Sequence, residues 1–130
     1  MEGLQTMKYK ILFLCFIILS GCAYVKKDKS LKGMPPDAPV HQKIRMTAKR
    51  YKYTPNVVLV KQGTHVILEI ESLDAEHGFQ IDQYGINVTI PKKAKVTVEF
   101  YSGEPGTYPF KCSHFCGFGH FGMKGKIIVE

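Results

Sequence analysis

Val66-Ile67-Leu68-Glu69-Ile70-Glu71 sends its side chains in two directions by turns: Val66, Leu68 and Ile70 make one apolar row, while Ile67, Glu69 and Glu71 make a second, mostly charged one. A period of two is the mark of a strand with one face in a core and the other in water. The same period recurs on both sides of this stretch. Upstream, Ile44, Met46 and Ala48 alternate with Lys43, Arg45, Thr47 and Lys49; downstream, Val96, Val98 and Phe100 alternate with Lys95, Thr97, Glu99 and Tyr101, and a last run, Lys126 to Glu130, closes the chain. Turn signals at Lys61-Gln62-Gly63, Tyr84-Gly85, Ile90-Pro91 and Gly103-Glu104-Pro105-Gly106 separate the runs. No segment carries the apolar spacing of an amphipathic helix, so the pattern predicts an all-β sandwich or barrel.

The chain has 130 residues, 45% of them hydrophobic and 22% charged, which bounds it to one module with enough apolar surface for a core and excludes general disorder. The amino-terminal residues read differently. Lys8 and Lys10 precede an apolar run, Ile11 to Leu19, that ends in Leu19-Ser20-Gly21-Cys22 and is too short to span a bilayer. A positive start, a short apolar middle and small residues before a cysteine resemble the lipobox of bacterial lipoproteins. That resemblance implies a signal peptide over 1–21, lipidation of Cys22, and a mature protein facing the periplasm or the cell exterior, with translation starting at Met1 or Met7. From Cys22 to Val40 the sequence is lysine-rich and then proline-rich, without periodicity, and is expected to form a lipidated tether. The folded domain is expected over 41–130.

Removing Glu2, Lys8 and Lys10 with the leader lowers the net charge of +7 by one, so the mature protein stays basic. That charge could steer it to an acidic protein partner or to anionic headgroups, but its lysines are scattered and form no tight basic run, which favours a merely solvated surface and argues against nucleic-acid binding. Of four cysteines, Cys15 leaves with the leader and Cys22 takes the lipid; Cys112 and Cys116 remain.

Those two thiols lie in Lys111-Cys112-Ser113-His114-Phe115-Cys116-Gly117-Phe118-Gly119-His120-Phe121-Gly122-Met123, between two predicted strands. Thiolate and thioether are soft ligands and imidazole is borderline. With no carboxylate in the segment, copper fits better than magnesium, calcium or manganese, and the methionine weighs against structural zinc. Gly117, Gly119 and Gly122 would let the loop close tightly. His77, just after a predicted strand, is placed to approach this loop from across the sandwich. A disulfide between Cys112 and Cys116 is the plain alternative in an oxidising compartment, yet it leaves His120 and Met123 without a task. His41 and His65 read as exposed or strand-face histidines.

The spacing Cys-x3-Cys-x3-His-x2-Met, with His77-Gly78-Phe79 upstream, resembles the CuA domain of cytochrome oxidase subunit II and nitrous oxide reductase. Tyr53-x-Pro55-Asn56, Gly63, Asn87-Val88, Pro105-Gly106-x-Tyr108 and Gly125-x-Ile127-Ile128-Val129 look like further landmarks, so the likeness runs over about Arg50 to Glu130. The resemblance implies a cupredoxin Greek-key fold and a centre of two copper ions. In it Cys112 and Cys116 bridge, His77 and His120 are terminal ligands, and Met123 and the His114 carbonyl are axial. It also implies electron transfer without substrate chemistry, with redox partners such as a c-type cytochrome or a terminal oxidase or reductase. Phe79, Phe115, Phe118 and Phe121 are expected to keep water from the cluster.

Three departures qualify that reading. A lipid-anchor signal and tether stand where subunit II usually has transmembrane helices. His114 stands where oxidases usually have Glu, so their magnesium link does not follow. The chain has no Trp to serve as the usual entry point for electrons. A stand-alone carrier is therefore the leading reading, with copper delivery or storage, or an accessory subunit of an oxidase or nitrous-oxide-reducing system, as alternatives. A thiol oxidoreductase is disfavoured because no βαβ framework is visible.

Overall fold

The computed structural model describes residues 26–38 and 41–130; the apolar leader and Cys22 lie outside them. Ten strands are described: β1 (Lys26–Ser30), β2 (His41–Lys49), β3 (Lys52–Thr54), β4 (Val57–Val60), β5 (His65–Ser72), β6 (His77–Ile81), β7 (Ile86–Ile90), β8 (Lys95–Tyr101), β9 (Gly106–Lys111) and β10 (Lys124–Val129). They form two five-stranded sheets, ordered β1-β8-β5-β2-β3 and β4-β10-β9-β6-β7. The all-β expectation holds, since the other regular segments are two single turns of 3₁₀ helix, Asp82–Tyr84 and His120–Gly122.

The period-two rows face as the alternation predicts. Met46, Ala48, Leu68, Ile70, Val96, Val98 and Phe100 point from the first sheet into one core, against Phe79, Ile81, Val88, Phe110, Ile127 and Val129 of the second. Each fully buried side chain of this size adds roughly 1.5–3 kcal/mol. Tyr53 stands among them without any exposure, edge-on to Phe79 and Phe110 at centroid distances of 5.8 and 5.3 Å.

Between Cys22 and Val40 the structure differs from the sequence reading over five residues. Lys26–Ser30 runs parallel along β8, from Lys26 opposite Val96 to Ser30 opposite Phe100. An outer strand is held by main-chain groups that the neighbouring edge leaves open, and such pairing needs no apolar periodicity for a sequence reading to detect.

The register sets two poles. β2 and β5 run side by side from His41 opposite His65 to Ala48 opposite Ser72. The far end, where β2, β5 and β9 stop and β6 and β10 begin, carries His77 and the whole 112–123 loop.

Candidate metal centre

His77 opens β6 and is completely buried. Its Nε2 lies 2.8 Å from Asp74 Oδ1, and the other oxygen of that carboxylate accepts from the Arg50 amide at 3.0 Å. An ionised carboxylate only accepts, so the ring proton sits on Nε2 and Nδ1 keeps its lone pair. Burial pushes the Asp74 carboxyl up, but the hydrogen bonds from His77 and the Arg50 and Ala75 amides outweigh it and hold the group below its ordinary range. Nδ1 has no hydrogen-bond partner among the described residues. A buried acceptor left in that state costs about 1–3 kcal/mol.

What this lone pair faces is sulfur. His77, Cys112 and Cys116 each offer a ligand atom, and the three atoms lie within 4.8 Å of one another, all buried. The two Sγ atoms are 3.9 Å apart, far beyond the ~2.05 Å of a disulfide. Cys116 Sγ also stands 3.8 Å from His120 Nδ1 and 3.8 Å from Met123 Sδ. The Cys112 thiol points at the His114 carbonyl, 3.1 Å away, while the Gly78 amide donates to its sulfur at 3.4 Å. Burial, and then the neighbouring Cys112, push the Cys116 thiol up to about 11, so the metal-free site holds that proton at neutral pH.

Backbone fit explains how the loop reaches this geometry. The Cys112 amide donates to the Met123 carbonyl at 2.9 Å, closing the loop at its base. Gly78 lies flat beneath Ser113 and His114: a Cβ there would stand 2.5 Å from the His114 nitrogen and 2.7 Å from the Ser113 nitrogen. Gly117, at φ +133°, lies under the Tyr51 ring, where a Cβ would stand 2.5 Å from the hydroxyl. Gly122, by contrast, has nothing within 4 Å of that position. Arg50 Nε donates to the Cys116 carbonyl at 2.9 Å, Ser113 Oγ to Asn87 Oδ1 at 2.7 Å, and the Tyr53 hydroxyl to the Gly78 carbonyl.

The four expected water-excluding phenylalanines divide. Phe79 is buried, but Phe115, Phe118 and Phe121 are 65%, 102% and 85% exposed, so their expected shielding role is corrected. Cys116 and Met123 both point inward, and the residues between them must form the outer rim. Water is excluded from the core side instead, by Phe79, Phe110 and Tyr53. The His120 ring is half-buried and emerges between Phe115 and Phe121, at centroid distances of 5.6 and 5.2 Å. His114 turns its side chain outward to Glu76, 3.0 Å away and about as exposed as itself.

All six sequence-predicted residues, His77, Cys112, His114, Cys116, His120 and Met123, thus come to one pole, His114 through its backbone oxygen. Sequence reasoning missed Asp74, Arg50 and Tyr51 as supports. Asp74, three residues before His77, was discoverable, because a ligating imidazole commonly gives its second nitrogen to a carboxylate. Soft sulfurs and borderline nitrogens in a buried pocket, one nitrogen lacking a partner, are a donor set that fits copper.

Two sheets packed face to face, with a Cys/His/Met loop at one pole, define a class of copper-binding β-sandwich. The chain belongs to the cupredoxin-like domain family, whose profile matches residues 12–129. It is 36% identical over 80 residues to cytochrome c oxidase subunit 2 of Thermus thermophilus, covering 62% of this chain and 59% of that one. It is 32% identical over 91 residues to nitrous-oxide reductase of Ralstonia nicotianae, covering 67% of this chain and 14% of the relative. The chain therefore spans somewhat under two thirds of the first relative and about a seventh of the second. In fold it resembles the periplasmic domain of subunit II of cytochrome oxidase of Bradyrhizobium japonicum, with TM-score 0.64 and 18% identity over 72% of this chain and 87% of that one.

Proposed function

We propose that this protein is an electron carrier working outside the cytoplasmic membrane, tethered through a lipid on Cys22, with a two-copper centre of the CuA type. Cys112 and Cys116 would bridge, His77 and His120 would terminate, and Met123 and the His114 carbonyl would complete the set. The observation that carries the reading is the buried, partnerless Nδ1 of His77, aimed at two sulfurs too far apart for a disulfide. When bound, copper supplies one-electron redox chemistry with its charge shared between two thiolates.

The chain's own groups do the rest. Asp74 fixes the His77 tautomer, so the ring does not turn when charge at the site changes. Phe79, Phe110 and Tyr53 exclude water, and a dry, rigid first layer keeps small the rearrangement that accompanies gain or loss of an electron. Phe115 and Phe121 flank the His120 edge and, with the exposed Phe118 of the same loop, give a partner an apolar face to dock on. The partner is a redox protein such as a c-type cytochrome or a terminal oxidase or reductase, and this chain performs no substrate chemistry.

Copper stoichiometry tests the assignment. The full chain is expected to hold two coppers, and Cys116→Ser one. Two coppers retained in Cys116→Ser would contradict the bridging role, and a single, readily exchanged copper in the unmodified chain would favour copper delivery.

A further inference from the structure

At the opposite pole, strands β2 and β5 begin with His41 beside His65. The two Nδ1 atoms lie 2.8 Å apart and the rings meet at 70° with centroids 4.7 Å apart. His65 is 7% exposed, and its Nε2 stands 3.1 Å from Oε2 of Glu99, itself 4% exposed. The sequence reading gave these histidines no task, but a buried imidazole held by a buried carboxylate is more than an ordinary strand residue.

The carboxylate settles the tautomer. Glu99 accepts, so neutral His65 carries its proton on Nε2 and presents a bare Nδ1 to His41. The same device holds His77 at the other pole, where Asp74 takes one nitrogen and leaves the second free. His41 is exposed and borders an open groove lined by Gln42, Lys61, Gln62 and Thr64. Several of those neighbours are engaged elsewhere: the Gln42 amide group donates to the Leu59 carbonyl and Gln62 to that of Gly103.

We propose that His41 and His65 form a second metal site, for a borderline divalent cation such as Zn²⁺ or Ni²⁺, with Glu99 as the positioning residue. Imidazole nitrogens suit these ions, and a carboxylate on the far nitrogen is the usual support for a ligating histidine. The distances allow it. Two nitrogens each about 2.0–2.1 Å from one tetrahedral ion stand about 3.3 Å apart, so the rings need to part by roughly half an ångström, which the exposed His41 at a strand end permits. Proton bookkeeping closes without an outside reactant: the hydrogen between the two Nδ1 atoms leaves through water and returns to Nε2 of His41. Water from the groove fills the remaining coordination positions. β5 has eight residues, so the site lies roughly 23 Å along the strand from the copper pole and does not depend on the copper assignment.

The test is Ni²⁺ titration by calorimetry of the full chain after copper loading and removal of weakly held Cu²⁺ with a chelator. One further equivalent of Ni²⁺ is expected in the unmodified chain, lost in His41→Ala, and weakened roughly tenfold to a hundredfold in Glu99→Gln. The imidazole ¹⁵N spectrum should place the His65 proton on Nε2 in the unmodified chain and divide it between the nitrogens in Glu99→Gln, which a purely structural role for Glu99 would not produce. In a Cys112→Ser/Cys116→Ser chain the His41-dependent equivalent should persist, separating this site from the copper one. No Ni²⁺ beyond the copper, or the same binding in His41→Ala as in the unmodified chain, would overturn the proposal.

Discussion

Asp74 Oδ1 lies 2.8 Å from His77 Nε2, and this single hydrogen bond decides which nitrogen of the buried ring faces Cys112 and Cys116. Asp74→Asn keeps the size of the side chain but removes the charge that holds the tautomer. Copper affinity, measured by competition with a chelator, is expected to fall roughly tenfold to a hundredfold while the fold persists. An unchanged affinity would mean that the ring is oriented by packing alone.

Gly78 is the floor of the loop. With a Cβ 2.5 Å from the His114 nitrogen, Gly78→Ala must lift the 112–116 backbone away from β6. Overpacking of this kind costs about 1–3 kcal/mol, so thermal unfolding should shift downward and copper binding should weaken with it. Full stability with intact copper binding would show that the loop yields more readily than this contact implies.

Tyr84 sets an alkaline limit. Burial, and then the nearby Tyr108, push its hydroxyl up to about 12, above its ordinary value of about 10. The unfolded chain therefore gives up this proton more readily than the folded one. The associated stability is complete below pH of about 10 and is lost as pH rises toward 12. The hydroxyl has no hydrogen-bond partner among the described residues, whereas the ring packs 4.5 Å from Phe100 and 5.2 Å from Tyr108. Tyr84→Phe should thus leave stability at pH 7 unchanged or higher by up to ~1 kcal/mol, and should lessen the alkaline loss, the rest coming from the buried Cys116 thiol and Tyr53 hydroxyl, both also pushed up by burial. Marked destabilisation at pH 7 would contradict both expectations.

Phe118 and Phe121 should matter to a partner and not to the fold. Their high exposure predicts that Phe118→Ser and Phe121→Ser change stability by less than about 0.5 kcal/mol. Both should leave copper binding intact and slow electron exchange with a c-type cytochrome, followed by stopped-flow absorbance. Unaltered rates would remove these rings from the docking face.

Much of this was legible in the sequence because strand alternation and ligand spacing are local signals. Val66, Leu68 and Ile70 declare their face without reference to anything distant, and Cys112, Cys116, His120 and Met123 sit within one loop. His77 was placed by resemblance, since nothing local distinguishes it from an ordinary loop histidine. What the sequence hid is relational. Phe115, Phe118 and Phe121 look like shielding until Cys116 and Met123 are seen to turn inward and leave them outside. Lys26–Ser30 joins a sheet through its main chain, and the contact between His41 and His65 exists only because β2 and β5 pair in parallel from their first residues.

The two sulfurs, 3.9 Å apart, are proposed to serve two copper ions sharing one electron. The most direct test is the electron paramagnetic resonance spectrum of the copper-loaded full chain, taken with a copper count. Hyperfine splitting from two equivalent copper nuclei, with two coppers per chain, is the predicted result. Splitting from a single copper nucleus with one copper per chain, or no copper retained, would contradict it.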